Sequence, residues 1–279
     1  MNLPKFTKLP GAVAIDLDGT LLNSHGQLST RNRITLEKCI ERRIPVVIAT
    51  SRSERGTRRV IGNDLANACS LVMANGSCAR GTVPLSGLIR ETIPAEVATN
   101  IVELTLQIEP AVRITIEIEG FDLGCNTQDT PEKLWELNSA TPDMVMSVSE
   151  AIAKIPTKIT VNGFGRDLSP IVNKISEHFE SVISVFPSDK GTFLSIVNNR
   201  TSKLAALGKL LSSQTIPLSN VIVFGDDLPD LDMLRACGMP VAMANAYPEI
   251  KAVCAYETAS NDEDGVAVVL EKMLDEIGI

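Results

Sequence analysis

Five short apolar runs constrain the fold of this chain more than any other feature. They are rich in Val and Ile, they do not alternate with polar residues, and each ends in a polar or small cluster: AVAID, IPVVIAT, SLVMAN, VIVFGDD and PVAMAN. Strands that are buried on both faces of a parallel sheet have this pattern. Because segments of helical length separate the runs, we predict an α/β fold with a doubly wound parallel sheet.

Two of the intervening segments have clear helix signals. The segment LSTRNRITLEKCIERRIP places Ser29 as an N-cap and Pro45 where the next strand begins. In TSKLAALGKLLSSQTIP, leucines recur at helical spacing and Lys203 lies at the start of the helix. We expect both helices to cross over between strands of the parallel sheet.

The middle of the chain has a different pattern. In VRITIEIEG, apolar residues alternate strictly with Arg113, Thr115, Glu117 and Glu119, which predicts an antiparallel sheet with one covered face and one open face. KITVNG and TFLSIVNN continue this style. We therefore predict an inserted α+β domain at residues 83–196, within a core domain made of 1–82 and 197–279. The single tryptophan, Trp135, could lie in the core of the insertion or line a substrate pocket, and we expect it in the core.

Composition narrows the classes of function. The net charge of -8 and the pI near 5.0 disfavour nucleic acid and anionic membrane surfaces as partners. No apolar stretch approaches the roughly 20 residues that cross a bilayer, and the first ten residues lack the apolar core of a secretory signal. The six cysteines form no CxxC pair, which disfavours a zinc site. These features predict a cytoplasmic enzyme.

Four segments lie at the carboxyl ends of predicted core strands or at the start of the following helix: DLDGT (16–20), TSR (50–52), SK (202–203) and GDDLPD (225–230). In an open α/β sheet such ends converge on the ligand crevice. Two acidic clusters suit Mg²⁺, and a lysine with hydroxyls would bind phosphate oxygens. At such a site Asp16 can attack phosphorus, and Asp18 can protonate the leaving oxygen and later activate water.

Together these four segments resemble the four motifs of the haloacid dehalogenase superfamily of phosphohydrolases. GMPVAMANAYPEIKAVCAY and SNDEDGVAVVLEKML resemble, more narrowly, its Cof-type subfamily. The resemblance implies a Rossmann-like core with a cap domain inserted between the second and third motifs. It also implies a Mg²⁺-dependent phosphatase that acts on a small phosphorylated metabolite, such as a sugar phosphate, through an aspartyl-phosphate intermediate.

The resemblance also implies the catalytic and metal-binding roles. Asp16 would be the nucleophile and a Mg²⁺ ligand. Asp18 would be the general acid and base, and it would bind the metal through its backbone carbonyl. Asp226 would complete the metal site, and Asp230 would support it.

Phosphate-binding roles follow in the same way. Thr50 would hydrogen-bond the phosphoryl group, and Ser51 would add a hydroxyl near it. Lys203 would bind the phosphate and orient Asp16. Asn245 resembles a position that lies close to the phosphate.

Two positions depart from the family pattern. Ser51 stands where glycine is common, and Pro229 stands where asparagine is common. Pro229 removes an amide from the surroundings of the metal, and such partners matter to affinity and activity. Whether Asp227 compensates is left open by the sequence.

Other functions stay open at this point. A phosphosugar mutase resembles a phosphatase in core and cap, and Pro229 is compatible with a catalytically weakened protein that binds phosphorylated metabolites. A phospho-accepting receiver domain is disfavoured, because receiver domains lack a second aspartate two residues after the acceptor and have no inserted cap. The sequence does not indicate the oligomeric state.

Overall fold

Strands and helices alternate through most of the chain, of which the computed structural model describes residues 1–278. The strands are β1 Ala12–Asp16, β2 Val46–Ala49, β3 Ser70–Met73, β4 Cys78–Arg80, β5 Leu88–Arg90, β6 Arg113–Ile118, β7 Asp122–Cys125, β8 Val145–Met146, β9 Lys158–Asn162, β10 Ile183–Ser188, β11 Phe193–Asn198, β12 Val221–Gly225, β13 Met239–Ala242 and β14 Tyr256–Glu257. The helices are α1 Thr30–Glu41, α2 Glu54–Ile61, α3 Asn63–Ala68, α4 Ala95–Ile108, α5 Pro131–Asn138, α6 Val148–Ala153, α7 Ser169–Phe179, α8 Lys203–Ser212, α9 Leu231–Ala236, α10 Pro248–Lys251 and α11 Gly265–Ile277.

The first sheet has the strand order β14-β13-β12-β1-β2-β3-β4-β5. Its strands from β14 to β3 are parallel, whereas β4 is antiparallel to β3. The five apolar runs supply β1, β2, β3, β12 and β13, and four of these strands are buried along their whole length. The predicted doubly wound α/β core is therefore confirmed, and the chain reverses its direction across the sheet between β1 and β12.

The two predicted crossover helices begin as the sequence indicates. The hydroxyl of Ser29 caps α1 by accepting a hydrogen bond from the backbone N–H of Asn32 at 3.0 Å. Ser202 caps α8 by accepting from the backbone N–H of Ala205 at 3.0 Å. Each cap satisfies one of the N–H groups that have no partner inside the helix. As a result Lys203 becomes the first residue of α8 and is buried.

Contacts within the chain define two compact units. The first consists of Met1–Ser51, Thr57–Ile89 and the chain from Ser202 onward, and the second consists of Arg52–Gly56 and Arg90–Thr201. The sequence predicted breaks at 82/83 and 196/197, several residues before the breaks that follow Ile89 and Thr201, and it did not indicate the Arg52–Gly56 segment. The assignment of the two units as a catalytic core and a substrate-specificity cap stays a prediction.

The second unit is built on a sheet with the order β10-β11-β9-β6-β7-β8. Its central strands β7, β6, β9 and β11 and the edge strand β10 pair in antiparallel fashion. One face of this sheet is apolar and packs with α4, α6 and α7 in a single hydrophobic cluster that includes Ile114, Ile116 and Ile159. The predicted alternation in VRITIEIEG thus gives the core of this unit.

The expectation that the polar face of this sheet is open is wrong for three of its four residues in β6 and the following turn. Arg113, Thr115 and Glu117 are buried, and only Glu119 is exposed. Arg113 pairs with Asp129, whose carboxylate oxygen lies 2.8 Å from Nε. Buried charges require partners, and here residues of the same unit supply them. Alternation along one strand cannot reveal such partners, because they come from distant positions in the sequence.

The expectation that Trp135 is a core residue is also wrong. It lies on α5, where Leu134 is the buried residue, and the neighbouring Trp135 is 49% exposed. Successive residues of a helix point about 100° apart, so burial of the first turns the second away from the core.

Within residues 1–278, none of the helices has the combination of length and apolar composition that crossing a bilayer needs.

Candidate active site

The sheet of the first unit brings three of the candidate residues to one edge. Asp16 ends β1, Thr50 directly follows β2, and Asp226 directly follows β12. The parallel register places Asp16 beside Ala49, at the end of β2. These carboxyl ends meet where the sheet reverses its winding, which is the position at which open α/β sheets bind ligands.

Lys203 joins the acidic residues at this edge. Its Nζ donates to Oδ1 of Asp16 at 2.5 Å and to Oδ1 of Asp230 at 2.7 Å. All three side chains are buried. Hydrogen bonds between charged groups in such surroundings are short and strong. The lysine therefore fixes one oxygen of the Asp16 carboxylate and links the first motif to the fourth.

A close backbone approach allows α8 to present Lys203. Gly76 follows β3 with φ +96°, and a Cβ on it would lie 2.2 Å from the carbonyl oxygen of Ser202. No other residue type fits this approach, since even an alanine would overlap the N-cap of the helix. Gly76 thus supports the site, although its position after a buried strand was the only signal for it in the sequence.

Asp230 is held by the turn that carries the fourth motif. Its Oδ2 accepts hydrogen bonds from the backbone N–H groups of Asp226 and Asp227 at 3.2 and 3.3 Å. Pro229 lies inside the short 3₁₀ turn Leu228–Asp230, near its N-terminus, where a missing N–H removes no helical hydrogen bond. The Asp227 carboxylate accepts from the N–H of Leu228 at 2.6 Å, so it caps this turn.

The first and fourth motifs also meet at Gly19. Gly19 has φ +81°, and a Cβ there would lie 2.3 Å from Oδ2 of Asp226. The neighbouring Thr20 is fully buried, and its hydroxyl donates to Oδ1 of Asp226 at 2.7 Å. Sequence reasoning assigned no role to Thr20, although it lies inside the DLDGT motif. Together the glycine and the threonine set the position of the Asp226 carboxylate.

The acidic groups of the site outnumber its ammonium group. Asp16, Asp226 and Asp230 each offer a carboxylate oxygen, and these oxygens lie within 4.8 Å of one another. Burial raises the pKa of Asp16 well above its ordinary value, the charge of Asp230 adds to this, and Lys203 opposes it. Burial also raises the pKa of Asp226 to about 6, against the hydrogen bond from Thr20.

These raised pKa values fit a divalent cation. Burial would lower the pKa of Lys203, but the charges of Asp16 and Asp230 outweigh it and raise that pKa, so the ammonium stays charged. One ammonium does not balance three carboxylates. The oxygen donors and their uncompensated negative charge are what Mg²⁺ prefers in proteins, and a bound cation would favour the ionised forms.

The remaining candidates have different surroundings. Thr50 is fully buried, and its backbone N–H donates to the carbonyl of Val72 at 2.8 Å, which extends the pairing of β2 with β3. Ser51 and Asp18 are exposed. The phosphate-binding roles of Thr50 and Ser51 and the acid–base role of Asp18 stay predictions.

Asn245 is engaged with backbone groups. Its Nδ2 donates to the carbonyl of Gly19 at 2.8 Å, and its Oδ1 accepts from the N–H of Asn261 at 3.0 Å. It therefore supports the loop of the first motif. Its predicted contact with phosphate stays a prediction.

Comparison with known proteins identifies the group to which this site belongs. A family model described as haloacid dehalogenase-like hydrolase matches residues 13–270. The chain belongs to the haloacid dehalogenase-like hydrolases. The resemblance that the four motifs indicated is thereby confirmed.

Individual relatives of known sequence, and similar proteins of known structure, agree with the family assignment. This hydrolase is 29% identical to phosphatase YwpJ of Bacillus subtilis, over 94% of this chain and 99% of that protein. It is 26% identical to the 5-amino-6-(5-phospho-D-ribitylamino)uracil phosphatase YcsE of the same organism, over 91% and 92% of the two chains. The crystal structure of a haloacid dehalogenase-like hydrolase from Bacteroides thetaiotaomicron covers 95% of this chain and all of its own, with 27% identity and a TM-score of 0.80.

These similarities bear out two further predictions from the sequence. The α/β fold with a Rossmann-like parallel sheet is that of the solved hydrolase. The prediction of an enzyme that hydrolyses phosphoric monoesters is confirmed by the family match and the phosphatases among the relatives.

Proposed function

We propose that this hydrolase removes the phosphoryl group from a small phosphorylated metabolite, such as a sugar phosphate, with Mg²⁺ and through an aspartyl-phosphate. The observation that supports this best is the ion-pair arrangement at the edge of the first sheet. There Lys203 holds Asp16 and Asp230, and Asp226 lies beside them.

Asp16 is the nucleophile in this proposal. Lys203 occupies its Oδ1, so Oδ2 attacks the phosphorus atom, and the bond from phosphorus to the leaving oxygen breaks. The lysine keeps the carboxylate in one orientation, and its positive charge stabilises the negative charge on the phosphoryl oxygens in the transition state. The product of this half-reaction is an aspartyl-phosphate on Asp16 and a released alcohol.

Asp18 is the general acid and then the general base. It donates a proton to the leaving oxygen in the first half-reaction, which prevents the release of an alkoxide. In the second half-reaction it takes a proton from water as the water attacks the aspartyl-phosphate. Hydrolysis then regenerates the Asp16 carboxylate and releases inorganic phosphate.

Mg²⁺ would be held by Asp16, by Asp226 and by the backbone carbonyl of Asp18, with Asp230 in support. When bound, it supplies positive charge that neutralises the carboxylates and the phosphate oxygens. Asp230 holds the two ends of this arrangement together, because it accepts from Lys203 and from the backbone N–H of Asp226.

Thr50, Ser51, Lys203 and Asn245 would bind the phosphoryl group. Hydroxyl, ammonium and amide groups are all hydrogen-bond donors, as phosphate oxygens require. The second unit would act as a cap that selects the leaving group. A relative that acts on a phosphorylated ribityl compound supports a polyhydroxylated substrate for this chain as well.

The experiment is a screen of phosphorylated metabolites for released phosphate, with and without Mg²⁺, on the unaltered protein and on Asp16→Asn. We expect Mg²⁺-dependent release from sugar phosphates by the unaltered protein only. Isomerisation of a hexose 1-phosphate without free phosphate would instead indicate a mutase, and binding without turnover would indicate a weakened enzyme. Equal release by Asp16→Asn would refute the mechanism.

A further inference from the structure

The segment that follows the second motif belongs to the second unit. Thr50 and Ser51 end the first stretch of the first unit, and the very next residues, Arg52–Gly56, cluster with the chain from Arg90 to Thr201. The peptide bond between Ser51 and Arg52 therefore joins two candidate phosphate ligands directly to the other unit. The segment adds two crossings between the units, after Ser51 and after Gly56, to the two that an inserted domain requires.

Arg55 attaches this segment to the second unit with all three guanidinium nitrogens. Its Nη2 donates to Oε1 of Glu117 at 2.6 Å, and Nη1 donates to the carbonyl of Phe121 at 2.7 Å. Its Nε donates to the carbonyl of Asn138 at 2.9 Å. Side-chain exposures of 4% for Arg55 and 10% for Glu117 place this ion pair in the interior. The planar guanidinium makes these contacts at fixed angles, which a flexible ammonium does not.

A backbone hydrogen bond also joins Arg55 to the second unit. The N–H of Arg55 donates to the carbonyl of Gly120 at 3.2 Å, so the turn between β6 and β7 satisfies a donor in the first turn of α2. Gly120 has φ +86°, and a Cβ there would lie 3.0 Å from the backbone nitrogen of Glu54. The backbone conformation therefore favours glycine, and the close approach to Glu54 leaves little room for a Cβ.

We define the Arg55 joint as Arg55, Glu117, Gly120, Phe121 and Asn138. We propose that Arg55 is a positioning residue, which fixes the segment after Thr50 and Ser51 through this joint and so sets the affinity of the site for the phosphoryl group. The proposal rests on the proposed function, in which Thr50 and Ser51 bind phosphate. This role differs from recognition of the leaving group, because it affects the binding of the phosphoryl group, which all substrates share.

The chain offers a matched control. Arg113 lies on the same strand as Glu117, is equally buried, and pairs with Asp129 at 2.8 Å. Its other guanidinium contacts are with Thr115 and Asn138, at 2.7 and 2.6 Å. Removal of either arginine breaks a buried ion pair of the second unit. Only Arg55 is part of the segment that follows the second motif.

The experiment is titration calorimetry of inorganic phosphate, the reaction product, in the presence of Mg²⁺. We expect Arg55→Ala to weaken phosphate binding about 10-fold or more, since small displacements of binding groups have effects of this size, and Arg113→Ala to change it less than about twofold. In assays, kcat/KM should fall by the same factor for 4-nitrophenyl phosphate and for a sugar phosphate. If Arg55→Ala does not fold, Arg55→Lys, which keeps the charge but not the planar contacts, should show the same loss to a smaller degree.

Two results would overturn the inference alone. One is unchanged phosphate affinity in the Arg55 variants, and the other is an equal loss in Arg113→Ala, which would mean that general destabilisation of the unit is responsible. Failure of the unaltered protein to bind phosphate with Mg²⁺ is a different result. It would refute the proposed function and, with it, the inference.

Discussion

Replacement of Gly19 by alanine tests the contact between the first and fourth motifs. Alanine at φ +81° is strained by about 1–2 kcal/mol. The lower conformational entropy of the unfolded alanine variant offsets about 0.4–1 kcal/mol of this strain. The new Cβ would also lie 2.3 Å from Oδ2 of Asp226, so this carboxylate must move and lose its hydrogen bond with Thr20. A hydrogen bond to a charged group contributes about 1.5–3 kcal/mol. We expect a total destabilisation of about 2–4 kcal/mol and a large loss of Mg²⁺ activation.

Gly26 is the matched control for this substitution. It has φ +69°, and a Cβ there would meet no atom within 4 Å, so Gly26→Ala should show the conformational effect alone, about 0–1.6 kcal/mol. Urea unfolding should be followed by far-UV circular dichroism, because the single tryptophan, Trp135, lies in the other unit. Equal urea midpoints for the two variants, with equal Mg²⁺ dependence of phosphate release, would refute the steric argument.

Three further predictions concern other parts of the protein. Asp16→Asn should abolish phosphate release while the circular dichroism spectrum stays unchanged; a turnover near that of the unaltered protein would exclude Asp16 as the nucleophile. Burial would raise the pKa of Asp129, but hydrogen bonds from its partners outweigh this and lower it to about 2. Its contribution is present above the unfolded value of 3.8 and is lost as the pH falls through about 2, so the second unit should lose up to about 2 kcal/mol over this range, as followed by Trp135 fluorescence. Asp129→Asn should flatten this acid dependence, and an unchanged profile would contradict the assignment. If the proline removes a hydrogen-bond partner from the surroundings of the metal, Pro229→Asn should lower the Mg²⁺ concentration for half-maximal activity about 10-fold. An unchanged Mg²⁺ titration in Pro229→Asn, together with a loss of activity in Asp227→Ala, would show that Asp227 compensates.

The parts of the fold that depend on local patterns could be predicted from the sequence. Val and Ile runs gave the strands of the parallel sheet, and serine caps gave the starts of α1 and α8. The doubly wound topology also predicted that the segments carrying Asp16 and Lys203, 187 positions apart, lie at one edge of the sheet. Their direct pairing was implied only by the resemblance to the haloacid dehalogenase motifs.

Contacts that no periodic pattern requires could not be predicted. Glu117 alternates like a solvent-facing residue, yet its partner Arg55 comes from 62 positions earlier in the chain. Arg55 itself lies in a run of polar residues that reads as an ordinary helix start. The contact of Thr20 with Asp226 was missed for a related reason, since a threonine after a turn has no local signal that separates a surface hydroxyl from one that donates to a buried carboxylate.

The Arg52–Gly56 segment limits how this enzyme could be recombined with its relatives. An exchange of residues 83–196 for the equivalent stretch of another hydrolase would treat the second unit as a cassette, but Arg55 would remain behind with the recipient. Its guanidinium would then depend on a foreign stretch for the carboxylate that Glu117 supplies and for backbone carbonyls in the positions of those of Phe121 and Asn138. An unpaired cation in a buried position is strongly destabilising, so such a chimera would require the donor's own residues at 52–56 as well. For this chain, grafting of the second unit would therefore need two non-adjacent stretches to be transferred together, and the shorter of them directly follows Thr50 and Ser51, the candidate phosphate-binding residues.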